Sequence, residues 1–424
     1  MLYRGSTGRF RVTEGHRNPT RRRVLRGGAA AILGGFAGCS GTTEGPESAH
    51  RSTRRTATPT PTVPSTTDSW TTFQFDPPNT GFAPENTGPT TGVNLQWTAT
   101  LGNSVSATPV IADGVVFVAS TEATLYALRW DTGTILAKVP ADDLIVASPA
   151  VADGQVYIGS RSGRVSAFPA AAFRSPDMIL ETWRHNARNG IFGAIKIAGE
   201  TLYAGNQNGE VIALDKTAGI RTWLQPVGDY VDTAVAVSDG SVYVSSPVGW
   251  VLSLDAETGE REWRVAVDGG LTTAPTVVDG TVFVGSTEHP VFGLDHRVYA
   301  LDARDGSQQW TVKPPTGTST STAVADGRVY IGTWGGKLHA FDTDDGKRLF
   351  ATDFGAPVTT APAVVSETVI AGAQNGRIAG LDPVDGSERF TFEAAAGIAS
   401  PPAVVDGTVV FGTVDGTVYA LAGR

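Results

Sequence analysis

Few groups in this chain could do covalent or metal chemistry. Cys39 is the only cysteine among 424 residues, which excludes an intrachain disulfide, a cysteine-rich zinc site and a thiol/disulfide couple. Glu288, His289, Asp295 and His296 fall within nine residues. These are side chains able to hold a divalent metal, but their spacing matches no known motif, and a solvated loop is the competing reading. Asp342 to Gly346 is similar to a calcium loop with its glycine one residue early and no terminal glutamate, so it reads as a hairpin turn. Neither a Gly-x-Ser-x-Gly elbow nor a Gly-x4-Gly-Lys-Ser/Thr loop occurs, so neither common hydrolase nor nucleotide chemistry is indicated. No residue is assigned a catalytic, cofactor-binding or metal-binding role.

The cysteine has an informative context. Arg21, Arg22 and Arg23 precede Val24 and Leu25, then an apolar stretch from Gly27 to Gly38 leads to Cys39. Twelve residues rising about 1.5 Å each cannot cross a hydrocarbon core about 30 Å thick. The stretch resembles a twin-arginine export signal, with Arg21 and Arg22 as the pair, and Phe36 to Cys39 resembles a lipobox with Phe36 in place of the usual aliphatic residue. The expectation is a signal over 1–39, a lipid on Cys39, and residence on the outer face of the cytoplasmic membrane, extracellular or periplasmic. Residues 40–69 are rich in Thr and Pro and too poor in apolar surface to repay ordering, so they read as a disordered tether. Residues 70–96 read as a lead-in segment.

Charge is distributed by segment. The whole chain has a formal charge of -9, whereas residues 70–424 hold 22 basic and 38 acidic residues, or -16. An acidic surface argues against a nucleic-acid partner. Two explanations compete for it: adaptation to high salt, where repulsion is screened, and an ordinary acidic extracellular protein. Gly at 51 residues and Pro at 25, with 41% hydrophobics, describe a chain full of turns that can still bury a core.

From residue 97 onward the sequence repeats. Apolar strands flank a two-residue turn, Asp-Gly six times, with Gly199-Glu200 and Ser366-Glu367 in the other two copies. The second turn residues stand at 114, 154, 200, 240, 280, 327, 367 and 407, spaced 40, 46, 40, 40, 47, 40 and 40. Each copy continues into a second hairpin, and four short strands per 40 residues is the period of a β-propeller blade. An aromatic residue recurs at one slot of each blade: Trp97, Trp183, Trp223, Trp263, Trp310, Phe350 and Phe390, with Ala137 in its place once. These rings read as structural, docking blade on blade. The last copy runs out of chain before its fourth strand, and Leu95-Gln96-Trp97 stands at the right offset to supply it. The expectation for 97–424 is an all-β, eight-bladed β-propeller of four-stranded antiparallel blades, closed by an N-terminal strand. Seven blades with a loose terminal repeat is the alternative.

The segment Leu254-Asp255 to Trp263, with Thr258-Gly259 between, and its echoes ending at Trp223, Trp310 and Phe350 resemble the docking repeat of pyrroloquinoline-quinone-type propellers. That superfamily holds both the quinoprotein alcohol dehydrogenases and BamB-like lipoproteins of envelope assembly. The resemblance implies either a non-catalytic scaffold or a quinone-dependent dehydrogenase of alcohols or sugars. The dehydrogenases hold their quinone against a ring of adjacent cysteines and bind Ca²⁺ through Glu, Asn and Asp. This chain has no cysteine pair, and the calcium ligands cannot be placed on it. The expectation is therefore a monomeric, membrane-anchored scaffold with no cofactor, and the alternative is an enzyme using pyrroloquinoline quinone with calcium.

In such a ring the turns between second and third strands share one rim with the inter-blade connections. That rim would carry Arg161, Asn206, Gln207, Asn208, Trp250, Trp334, Gln374 and Asn375, with Tyr230 and Asp232 from a connection. Trp beside amides and Arg suits a protein or glycan partner. The competing reading is that Trp250 and Trp334 only cover their own hairpins.

Overall fold

Hairpin chemistry sets the architecture. In all six Asp-Gly turns both residues hold positive φ, as at Asp113 (49°) with Gly114 (75°). This is the mirror-image turn whose twist matches its flanking strands. The computed structural model describes residues 63–174, 178–287 and 295–424. Over these residues eight sheets of four antiparallel strands follow one another, and one sheet carries an extra two-residue strand, Phe82–Ala83. Blade 4 is representative: Ala236–Ser238, Ser241–Ser246, Trp250–Asp255 and Arg261–Ala266, from the axis outward. Its second and third strands are buried on both faces because neighbouring blades cover both, whereas the outer strand buries only alternate residues.

The ring closes as expected, with eight blades. Val93–Thr100 pairs antiparallel with Thr417–Gly423, bringing Trp97 opposite Ala420 as the outer strand of blade 8. That strand begins at Val93, so the last residues of the lead-in belong to the ring. The end of the expected tether is docked as well: the Thr67 and Asp68 amides donate to the Asp406 carboxylate at 3.1 and 3.2 Å. The exposed acceptor of a tight turn is enough to capture passing backbone.

The aromatic slot works as one device around the ring. The Trp223 indole N–H donates to the Ala256 carbonyl of the next blade at 3.0 Å, and Trp97, Trp183, Trp263 and Trp310 repeat the bond at 2.7 to 2.9 Å. The ring lies over the glycine of the next blade's turn. A Cβ on Gly259, which sits at φ +75°, would meet the Trp223 ring at 2.6 Å. The Thr-Gly of the motif is thus the floor of the neighbour's indole site.

Blade 1 inverts the arrangement. Ala137 stands where the Trp would be, and 36 residues on, where the glycine would be, stands Phe173. A 3-10 turn in blade 2, Ala170–Arg174, buries Phe173 edge-on against Phe117, ring centroids 5.2 Å apart. Phe117 holds the place that Tyr203 takes beside Trp223. The large and small residues of the pair have changed sides, and the interface stays filled.

Residues 70–87 are a strap across the axis on the Asp-Gly side. The middle residue of each innermost strand points its N–H inward, where only blade 7 has a fifth strand, the strap's own Phe82–Ala83. Strap carbonyls accept six of these: Ile111 to Trp70, Val151 to Thr71, Val237 to Pro77, Val277 to Pro78, Val324 to Thr80 and Val364 to Gly81, at 2.7 to 2.9 Å. At blade 3 the Lys196 ammonium donates to the Phe73 and Asp76 carbonyls instead. At blade 8 the Asn86 amide donates to the Val404 carbonyl. The strap therefore satisfies inner edges that a bare ring would leave open.

Candidate binding rim and axial channel

The turns between second and third strands form a rim with the inter-blade connections because each turn is bonded to one. The amides of Gln207, Trp334, Gln374 and Val414 donate to Gly190, Gly317, Pro357 and Gly397, all at 3.0 Å. Arg161, Gln207, Asn208, Gln374 and Asn375 are exposed on this rim. Asn375 is tied down, its amide donating to the Phe354 carbonyl at 3.0 Å. Tyr230 and Trp334 are about half exposed, at 47% and 51%, with Val414 at 57% further round.

Two assigned residues do other work. Asn206 is fully buried: its side-chain oxygen accepts the Asn208 and Glu210 amides, and its nitrogen donates to Glu210 and Ala187. It shapes the turn and offers nothing to a partner, since a turn of this kind needs an internal acceptor. Trp250 is only partly exposed, and the Arg264 guanidinium lies 3.8 Å above its ring, so it is largely a cover for its hairpin.

The axis offers a second concavity, of about 190 Å³. Seven blades contribute residues just before their innermost strands, among them Ser106, Ser148, Phe192 and Thr272, and Phe73 of the strap forms the floor. Among the described residues, Asp232 is the only charged one in this wall. One of its oxygens is buried without a hydrogen-bond partner, and burial pushes its carboxyl above the usual range, with Asp229 adding to the effect. A carboxylated quinone held with Ca²⁺ would need cationic groups and several oxygen ligands here. A mouth with one carboxylate and no Lys or Arg does not fit it.

Beneath Phe73 lies Lys196, fully buried, whose ammonium is pushed down to about 7 by desolvation, with the Asp76 carboxylate opposing. Asp76 is itself pushed up by burial, against hydrogen bonds from Thr80. Neither residue stands out in the sequence. A lysine at the head of an innermost strand, where the other blades carry Ala, Val or Thr, was the available signal.

Of the loop weighed as a metal site against a solvated loop, Glu288 and His289 lie outside the described residues, as do Arg21, Arg22 and Cys39. Asp295 pairs with Lys313 at 2.7 Å, and the buried His296 ring bonds the Pro314 carbonyl at 2.9 Å. Among the described residues no three metal-ligating side chains come together.

Eight blades, an indole docked on a neighbour's glycine and a central axis define the class as a quinone-type repeat propeller. The profile of one family within it, described as outer membrane protein assembly factor BamB, matches residues 87–230, 207–296 and 294–424, and the chain belongs to that family. No curated protein matches the sequence. Among solved structures, BamB from Moraxella catarrhalis is 18% identical with a TM-score of 0.64, covering 78% of this chain and 99% of that one. The quinohemoprotein alcohol dehydrogenase from Comamonas testosteroni is 16% identical with a TM-score of 0.67, covering 84% and 81%. The computationally designed Ika8 protein reaches a TM-score of 0.68 at 17% identity, covering 77% and 99%. At these identities the likeness is one of fold.

Proposed function

We propose that the chain is a non-catalytic binding scaffold, lipid-anchored through Cys39 on the outer face of the cytoplasmic membrane, that engages a protein or glycan through the rim bearing Tyr230 and Trp334. One observation carries this reading. The strap closes one end of the axis and leaves a mouth of about 190 Å³ with a single carboxylate, while amphipathic rings project from the rim around it. Exposed Trp and Tyr supply large contact area at low entropic cost, as interface anchors do. The protein acts as a monomer and takes no cofactor.

Crosslinking in native membranes followed by mass spectrometry tests the proposal. A reproducible partner lost in the Trp334→Ala and Tyr230→Ala variants supports it. Dye reduction by protein incubated with pyrroloquinoline quinone and Ca²⁺ over a panel of alcohols and sugars overturns it in favour of a dehydrogenase.

A further inference from the structure

Blade 6 departs from its neighbours at the third residue of its third strand, Lys337–Asp342. Where that position is polar in other blades, the side chain has a partner: Ser166 donates to Glu181 at 2.8 Å, Tyr299 to the Asp268 carbonyl at 3.2 Å, and Tyr419 accepts the Ala395 amide at 3.2 Å. Here it is His339, 2% exposed and stacked on Phe341, with its Nδ1 buried and unpartnered. Burial, reinforced by the Arg348 and Lys337 charges, holds the ring down to about 4, so it is a neutral imidazole at neutral pH.

The His339 ring lines a cleft of about 550 Å³ together with Thr316, Lys337, Arg348 and Leu349. Its cations are poorly matched. Among the described residues, Arg348 has no carboxylate within ion-pair distance, and Lys337 reaches only Asp353, at 4.0 Å. Two such cations around one cleft stand out where residues 70–424 carry -16. Thr333 and Gly335 form the lip, held by the Gly335 amide on the Thr316 hydroxyl at 2.9 Å. Between them Trp334 stands half exposed.

We propose that this cleft binds a uronic acid residue of an acidic saccharide. Lys337 and Arg348 take the carboxylate, the His339 imidazole and Thr316 hydroxyl take sugar hydroxyls, and the Trp334 ring covers a face of the sugar. The proposal rests on the scaffold reading in treating this rim as a surface that faces ligand, and it supplies the ligand's chemistry.

The test is titration of the full-length protein with tetragalacturonate, read by tryptophan fluorescence and calorimetry, against maltotetraose and sodium sulfate. The expected result is saturable binding of tetragalacturonate alone. Arg348→Gln and Lys337→Gln, both exposed positions, each weaken it about tenfold, and Trp334→Ala weakens it as well. Equal binding of maltotetraose, displacement by sulfate at equal concentration, or unchanged affinity in both charge variants overturns the proposal. Absence of tetragalacturonate binding beside a crosslinked protein partner sinks the cleft and leaves the scaffold standing. Absence of binding with quinone turnover sinks both.

Discussion

Lys196 couples one proton to the stability of the molecule. Its ammonium has lost water and gained two carbonyls and a nearby carboxylate, and the balance sets its value at about 7, against about 10.4 for a free lysine. Between these values the unfolded chain holds more protons than the folded one, so unfolding becomes harder as pH rises. Denaturant melts at pH 7 and pH 9.5 should show wild type gaining stability relative to Lys196→Met, by up to about 1.4 kcal/mol per pH unit. Parallel trends would mean that Lys196 is hydrated. The window stops short of pH 10 because Tyr126 and Tyr299, pushed up to about 12, titrate with the opposite sign above it. Lys196 and His339 share the reason they escape a reading of the sequence. Each is a polar residue flanked in sequence by apolar ones, Ile195 and Ile197 or Leu338 and Ala340, and its meaning lies in what the neighbouring blade or strap brings to it.

At the scale of elements the exchange of Ala137 and Phe173 makes a separable claim. Truncation by Phe173→Ala opens a cavity worth about 3–5 kcal/mol, and Ala137→Trp alone overfills the same space at a cost of about 1–3 kcal/mol. In the double variant the new indole occupies the vacated volume, so the two effects should fall short of their sum by about 1–3 kcal/mol in urea melts. Strict additivity would show that the two side chains do not share a site. The repeat period, the Asp-Gly turns and the aromatic slot were all legible in the sequence, since each is a residue type at a fixed spacing. The compensation was not, because attention to the indole alone misses the glycine 36 residues on that it requires. The rim was half legible: the repeat places its turns, but Asn206 looks like a surface amide until its oxygen is seen capturing two backbone amides.

The described residues close into a ring, and residues 70–424 carry a strongly acidic balance of -16. Self-repulsion among their carboxylates opposes compaction at low ionic strength and fades within a Debye length of about 3 Å at molar salt. Thermal unfolding should therefore shift upward between dilute buffer and molar KCl, and a flat response would remove the case for adaptation to high salt. The closure of the ring was legible because Trp97 kept its distance from the first turn. The strap was not, because it works through backbone carbonyls that any sequence possesses. Its ordering has a consequence for synthesis. Residues 70–87 meet blades 1 to 8 in nearly the order in which those blades are made, and Thr67 bonds Asp406 across 339 positions. The earliest made of the described residues are thus among the last to find all their partners. A nascent chain halted before Thr417 lacks the strand on which Val93–Thr100 pairs, so the ring cannot close until 417–423 has been made, and growth blade by blade does not by itself yield the native state.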